Sequence, residues 1–266
     1  MAVPAPRVSN GDVTVLEERL TARPRVERVA YVVAAVLVAS GLLHLLMFAI
    51  EPRPWGGPLS WRKAVTFGVS FGTTLATVTW VTSYLRIAER TRTVLLGVFA
   101  VDCVVEVLGI TVQAWRHVPS HFNRETPFDA VVATTLAVGG AVLVVTLGVF
   151  AVVALRGRVT GDAPMRLALR AGWGLMLLGL ASGVAMIVRG TALQAQGHVA
   201  ESYLRAGYLK DLHGVTLHAV LVLPALAWLL QRGTLPESRR LGLVRWGIAA
   251  YVVAVLVALG VGIASY

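Results

Sequence analysis

Seven long apolar segments dominate the sequence, and they constrain the fold more than any other feature. Each can cross a bilayer as a helix, which takes about 20 predominantly apolar residues. They cover residues 29–50, 63–85, 93–115, 128–155, 166–188, 212–230 and 241–264. In a bilayer, only helices and closed barrels satisfy all of their backbone hydrogen bonds. The sequence therefore predicts an all-α, polytopic integral membrane bundle of about seven transmembrane helices.

Composition and charge support a membrane protein and argue against a nucleic-acid partner. The chain is 56% hydrophobic and only 14% charged, and its mean hydropathy is +0.73. Of the 24 Lys and Arg residues, 16 fall on the N-terminal side of a seven-span chain and eight on the opposite side. The positive-inside rule then predicts a cytoplasmic N-terminus and an extracytoplasmic C-terminus. We interpret the net charge of +10 as a topology signal and a contact surface for anionic membrane lipid.

The sequence predicts one folded domain with a short tail. Residues 1–28 form a polar, cytoplasmic N-terminal tail that is unlike a cleaved signal peptide, and residues 29–266 form a single transmembrane helical bundle. Only Lys63 and Lys210 are lysines, against 22 arginines, and Ala and Val are abundant. This composition is typical of a GC-rich bacterial genome, so we expect a multi-pass protein of the bacterial plasma (inner) membrane.

A polar stripe interrupts the third apolar segment. Glu106 lies in the middle of the segment, Asp102 one helical turn before it, and Gln113 two turns after it. At 100° per residue these three share a face roughly 100° wide with Arg116 and His117. A carboxyl group at such a depth costs about 2.5–3.5 kcal/mol on insertion, so it tends to face a protein interior and to mark function. The stripe therefore predicts a polar interior for this helix to face.

The predicted topology brings polar groups from several segments to one depth. Glu106 falls about 20 Å from the cytoplasmic end of its segment, in the outer third of the bilayer, His44 reaches a similar level, and His218 lies about 9 Å inside the outer end of its own segment. His213 lies near the outer surface, and Arg189 ends the fifth segment on that side. The outer loops are also the richer ones, at residues 51–63, 116–127 and 189–211. We therefore expect an intramembrane polar pocket that opens outward and takes a small-molecule ligand.

The acidic residues of this pocket have several interpretations. Glu106 is a proton-carrying acid, a metal ligand, or the counter-ion of Arg116 or Arg189. Asp102 lies deeper, near mid-bilayer, where it either relays protons or stays protonated. We assign Glu106, Asp102 and Arg116 to a candidate catalytic group, and Gln113 and Arg189 to the lining of the pocket.

Two further lining residues come from the outer loop that contains Ser120-His121-Phe122-Asn123. His121 and Asn123 can reach over the pocket as a lid. Alternatively, they do no more than turn the chain between two helices. The sequence leaves both interpretations open.

The intramembrane histidines suggest a haem or transition-metal site, because neutral imidazole is the commonest metal ligand. His44 and His218 are the candidate cofactor ligands, and Glu106 completes a candidate metal set with them. His213 is a third candidate for cofactor binding. It is five residues from His218, so the two rings lie about 140° apart on a helix and cannot comfortably bind one metal ion together. The alternative for His44 is a histidine that is hydrogen-bonded to a neighbouring helix.

Three stretches of the sequence resemble a group of uncharacterised bacterial multi-pass membrane proteins. They are WGGPLSWRKAVTFGVSFG, the run from Glu106 through Gln113-Ala114-Trp115-Arg116 and Ser120-His121-Phe122-Asn123 to Asp129, and the segment from Lys210-Asp211-Leu212-His213 through His218 to Leu223-Pro224. The resemblance extends over most of the length of the chain and implies no particular activity. It implies that the three outer motifs belong together.

Three functions fit these features. The first is a haem- or metal-binding redox protein or enzyme that uses His44 and His218 near Glu106. The second is a proton-coupled small-molecule transporter or channel, with Asp102 and Glu106 as the proton carriers. The third is a non-catalytic membrane sensor or assembly subunit whose outer pocket binds a small molecule or a partner. A microbial rhodopsin is excluded, because its Schiff base needs a lysine in the seventh segment and residues 241–264 contain none.

Overall fold

The described part of the chain is helical, and seven of its helices are long and apolar enough to cross a membrane. The computed structural model describes residues 24–52 and 55–265, so most of the predicted tail (1–28) lies outside the described residues. The helices are α1 (Arg25–Ile50), α2 (Arg62–Val81), α3 (Glu89–Trp115), α4 (Pro127–Leu155), α5 (Ala163–Ala195), α6 (Val199–Arg205), α7 (Lys210–Gln231) and α8 (Glu237–Ala264). The predicted all-α multi-pass membrane architecture is confirmed.

One predicted boundary is wrong. The outer loop expected over residues 189–211 is mostly helical, because α5 continues to Ala195 and the short α6 follows it. Apolarity identified only the membrane-crossing part of α5, whereas the helix itself is 33 residues long. The extra turns lie at the end of α5 that the charge distribution predicts to be extracytoplasmic, which we call the outer side. The opposite side is called the inner side.

Five of the long helices form a closed ring, and the other two pack on its outside. Around the ring, α2 contacts α3, α3 contacts α4, α4 contacts α5, α5 contacts α7, and α7 returns to α2. Helix α1 packs against α2 and α3, and α8 packs against α7 and α5. The α1–α2 contact is close because both helices carry glycine there. A Cβ atom at Gly68 would lie only 2.7 Å from the Cα atom of Gly41.

Local sequence signals start two of the ring helices. The Thr126 hydroxyl accepts a hydrogen bond from the backbone N–H of Asp129 at 3.2 Å, with Pro127 as the first helical residue of α4. The Asp162 carboxylate caps α5 in the same way, accepting from the N–H of Met165 at 3.1 Å. These caps satisfy donors that a helix N-terminus leaves open. They fix where each helix enters the membrane.

The inner half of the ring is filled by large apolar side chains. Phe99 of α3, Phe150 of α4, and Trp173 and Met176 of α5 are almost completely buried, as is Leu223 of α7. The Phe150 and Trp173 rings lie 6.0 Å apart between centroids. Close packing, rather than removal from water, stabilises such a core inside a bilayer. Because this inner core is apolar, most of the buried polar residues of the bundle lie toward the outer side.

Candidate functional site

Asp102 and Glu106 project from α3 into its interface with α4. Both are buried, with 7% and 3% of their surface exposed, and both face Gly139. A Cβ atom at Gly139 would lie 2.5 Å from Oε1 of Glu106 and 2.9 Å from Oδ1 of Asp102. The glycine therefore allows the two carboxyl groups to converge on one point of the interface. We call these three residues the carboxyl pair site.

The carboxyl pair site lacks counter-charges. Within residues 24–52 and 55–265, neither carboxyl group forms an ion pair or a hydrogen bond, and Oδ2 of Asp102 is fully buried without a partner. Asp102 is the central residue of the 27-residue helix α3, and Glu106 lies about 14 Å from its outer end at 1.5 Å per residue. Buried charged groups in proteins are usually paired. This absence of partners makes the site chemically unusual.

A second polar cluster closes the same interface at its outer end. Arg116 pairs with Asp129 of α4 and also donates to the side chain of Gln113. Gln113 donates in turn to Oδ1 of Asp129 at 2.9 Å, and the Thr126 hydroxyl donates to Oδ2 at 2.6 Å. Asp129 is 1% exposed, whereas the Arg116 side chain is 37% exposed. We call this group the outer clasp.

The outer clasp corrects one interpretation of Glu106. Its predicted counter-ions, Arg116 and Arg189, do not pair with it among the described residues. Arg116 is engaged by Asp129, and the Arg189 guanidinium lies 4.6 Å from the ring centre of Tyr208. The role of Asp129 as the partner of Arg116 could not be predicted from the sequence, because it depends on which helix lies beside α3.

His44 is held by hydrogen bonds on both sides of its ring. Nδ1 donates to the carbonyl of Ser40 at 2.7 Å, and Nε2 accepts from the indole N–H of Trp115 at 3.0 Å. The ring also lies 5.9 Å from that of Trp61, which is 1% exposed. These contacts match the alternative of a histidine bonded to a neighbouring helix. Ligation of a metal by His44 would require Trp115 to move.

His213 and His218 face different helices, as their spacing predicts. Nδ1 of His213 donates to the carbonyl of Gly179 in α5 at 2.8 Å. His218 uses its Nδ1 within α7, toward the carbonyl of Gly214 at 2.6 Å. Its ring lines a narrow cleft against Thr73, Thr74 and Thr77 of α2. The two histidines therefore belong to opposite sides of α7.

The predicted metal set is not brought together. His44 lies where α1 meets Trp61 and Trp115, Glu106 lies between α3 and α4, and His218 lies between α7 and α2. No group of three or more His, Cys, Asp and Glu side chains among the described residues is placed to hold a metal ion. Haem or metal binding stays a prediction.

The loop between α3 and α4 folds inward over the outer end of the ring. Phe122 adopts a positive φ of 63° and its ring fills the space above Gly190 of α5, where a Cβ atom would clash with it. Gln194 holds the loop by donating to the carbonyl of Phe122. Ser120 and Asn123 are 3% and 0% exposed. The loop is therefore a packed plug, and its role as a lid formed by His121 and Asn123 stays a prediction.

His121 sits in this plug as a neutral residue. Burial, and next the charge of Lys63, lower the pKa of its imidazole to about 3. Nδ1 lies 3.0 Å from the Ser120 hydroxyl, and the ring centre lies 6.0 Å from that of Phe67 in α2. The sequence did not predict that Lys63 lies near His121, because a lysine at the start of a helix is normally exposed to solvent.

Comparison with known protein families, with curated proteins and with solved structures finds no match for this chain.

Proposed function

We propose that this chain is a proton-coupled carrier of small molecules in the bacterial plasma membrane. In this proposal the N-terminus is cytoplasmic, and the carboxyl pair site exchanges protons with the outer side. The observation that carries the proposal is the convergence of Asp102 and Glu106 on Gly139, where no described residue pairs with either carboxyl group or donates a hydrogen bond to it. Intramembrane carboxyl groups of this kind are typical of proton relays in pumps and transporters.

The physical argument rests on the cost of two neighbouring negative charges. Inside a bilayer the dielectric constant is low, so two carboxylates on successive helical turns would repel each other strongly. A bound proton removes that repulsion and supplies a donor for the buried oxygen of Asp102. The pair can therefore take up and release a proton, which is the elementary step of proton coupling.

Access to the pair is asymmetric along the α3–α4 interface. Toward the outer side, Leu136 packs over Gly109 for about one helical turn, and beyond it the outer clasp provides polar groups up to the exposed part of Arg116. Toward the inner side, the apolar core around Phe99, Leu147 and Phe150 intervenes. This arrangement supports proton exchange from outside in a carrier that is closed to the cytoplasm. A carrier would have to part this core in its other state.

The first test concerns proton binding and needs no substrate. We expect the infrared spectrum of the purified protein at neutral pH to contain the C=O band of a buried, protonated carboxyl group. Glu106→Gln and Asp102→Asn should change that band, and Gly139→Ala should shift it by displacing both carboxyl groups. Gly140→Ala is the matched control, because a Cβ atom there meets nothing within 4 Å. A wild-type spectrum identical to that of the Asp102→Asn/Glu106→Gln double variant would overturn the proposal.

The second test concerns transport. Proteoliposomes containing a pH-sensitive dye should acidify when an inward proton gradient and a mixture of small metabolites are applied together. We expect Glu106→Gln to abolish this flux and Gly140→Ala to leave it unchanged. Proton binding without any flux would favour a sensor or assembly subunit, and it would refute the carrier. Haem absorbance or stoichiometric metal in the same preparation would favour the redox function instead.

A further inference from the structure

We infer that the first turn of α2 and the loop over residues 116–126 form a binding site for a small oxyanion, a carboxylate or phosphate group, held by Lys63. This site is separate from the carboxyl pair site, and it does not depend on proton exchange there. Lys63 is one of two lysines in a chain with 22 arginines. It lies at the outer end of the ring, where a ligand arrives from outside.

Lys63 is a partly buried cation without an anion. Its ammonium group forms no ion pair or hydrogen bond with any residue in 24–52 or 55–265. The neighbouring Arg62 adds a like charge, and its guanidinium Nε donates to the carbonyl of Trp55 at 3.1 Å. Buried charges in proteins are normally paired, because removing them from water is costly. An anion that is not part of the described chain would supply the missing partner.

The side chains around Lys63 suit an anion and do not compete with it. His121 stays neutral, as its lowered pKa of about 3 requires, so it can present an N–H group or a lone pair but no charge of its own. Phe67 lies beside His121 and stacks on Phe71 at 5.4 Å, which gives the site an apolar wall. No described carboxylate pairs with Lys63. The surroundings therefore leave its positive charge uncompensated.

The loop itself contains a second orphaned donor. The side chain of Asn123 is completely buried, and its Nδ2 has no hydrogen-bond partner in the described part of the chain. Its Oδ1 is already used, because it accepts from the backbone N–H of Glu125 at 3.1 Å. A buried amide donor without a partner is costly. Asn123 lies two residues from His121, the loop residue that the charge of Lys63 reaches, so an oxyanion held by Lys63 is one source of the missing acceptor.

The oxyanion has two sources, a free solute or the phosphate of a membrane lipid. Lys63 lies near the level of the lipid headgroups, so the geometry allows either. We expect sodium benzoate or inorganic phosphate to raise the melting temperature of the detergent-purified protein saturably at constant ionic strength. Lys63→Gln should weaken this effect at least tenfold, Lys63→Arg should retain part of it, and Lys210→Gln should not change it.

Lipid nanodiscs distinguish the two sources. If a lipid phosphate occupies the site, nanodiscs that contain phosphatidylglycerol should stabilise wild-type protein more than phosphatidylcholine nanodiscs do, and Lys63→Gln should abolish the difference. A free solute should stabilise the protein equally in both. The proposal is overturned if neither the solutes nor the lipid affects wild-type protein more than Lys63→Gln.

A further measurement uses only the wild-type protein, so its result does not depend on whether the variants fold. Acetylation of the two lysines by a water-soluble reagent is followed by mass spectrometry with and without benzoate or phosphate. We expect the anion to protect Lys63 at least fivefold and to leave Lys210 unprotected. Equal rates at Lys63 with and without each anion, in lipid-free detergent, would refute the site even if proton exchange at Glu106 were confirmed.

Discussion

The inner and outer ends of the bundle differ in how far their buried ion pairs are shielded from solvent. At the inner end, Arg92 pairs with Glu27 at 2.5 Å and also donates to the carbonyl of Thr79 at 2.9 Å and to the Thr82 hydroxyl at 3.2 Å. Only 12% of the Arg92 side chain and 9% of the Glu27 side chain are exposed. At the outer end, Arg116 also pairs with a buried acid, but more than a third of its side chain is exposed.

The two ends also differ in how completely their polar groups are satisfied. On the inner side, Arg240 pairs with Asp162 at 2.6 Å, and the loops before α3 and α5 are joined by backbone hydrogen bonds. Most of the buried atoms without a partner in the described residues lie from mid-membrane outward, on Asp102, Thr111 and Asn123, whereas the inner half contributes the indole N–H of Trp173. Unsatisfied groups and positive φ angles tend to cluster at functional sites. The charged groups at the inner end are therefore paired and enclosed, whereas most of the buried polar atoms without a partner lie toward the outer end.

The largest expected effect comes from breaking the inner ion pair. Arg92→Met removes the cation that pairs with the enclosed Glu27 carboxylate at 2.5 Å, so we expect the free energy of unfolding to fall by about 3–5 kcal/mol. The measurement is thermal or denaturant-induced unfolding in detergent. The Glu27→Leu/Arg92→Met double variant should recover much of the loss, because the carboxylate that lost Arg92 is removed with it. A double variant no more stable than Arg92→Met would contradict this explanation.

The corresponding substitution at the outer end, Arg116→Met, should lower the free energy of unfolding by less. In Arg116→Met, Asp129 keeps hydrogen bonds from Gln113 and Thr126, and water can reach the position that the exposed part of Arg116 occupied. We expect a loss of about 1–2 kcal/mol in the same unfolding assay. The comparison between the two ends would fail if Arg116→Met proved as destabilising as Arg92→Met.

How far the sequence predicts this molecule depends on whether a feature is local. The membrane helices follow from runs of apolar residues, and the cap of α4 follows from Thr126-Pro127-Phe128-Asp129. The stripe of Asp102, Glu106 and Gln113 follows from the helical period alone. Each of these predictions needs only neighbours along the chain.

The partners across an interface could not be predicted in this way. Gly139 is one of 26 glycines, and its role depends on α4 lying beside α3 at one particular register. Likewise, the depth shared by His44, Glu106 and His218 did not place them in one site, because they lie on different interfaces of the bundle. Depth is encoded in one helix, whereas the order of helices depends on packing among all of them.

A smaller effect should follow from releasing the plug without opening the bundle. Gly190→Ala puts a methyl group where the ring of Phe122 lies, so we expect the loop over residues 116–126 to detach. Its amide hydrogen exchange should rise by about tenfold, which corresponds to about 1.4 kcal/mol of local stability. Gly174→Ala in the same helix is the control, because its Cβ atom would make only an ordinary contact with Leu155 at 3.8 Å. Equal exchange in both variants would show that Phe122 does not anchor the loop.

The most local effect is a pH dependence confined to the outer end. The pKa of His121 is lowered from 6.5 to about 3 in the folded loop, so the released loop binds a proton more readily than the packed one. The stability that His121 contributes is therefore complete above pH 6.5 and is lost as the pH falls toward 3, at no more than about 1.4 kcal/mol per pH unit. We expect exchange in the loop over residues 116–126 to accelerate between pH 7 and pH 5, beyond the intrinsic effect of pH on amide exchange. His121→Gln should remove that acceleration, whereas His198→Gln should not, because the His198 side chain is 54% exposed. The inner end has no buried histidine among its described residues, so exchange around Glu27 and Arg92 should show no such change. An equal response at both ends would assign the effect to global unfolding rather than to the plug.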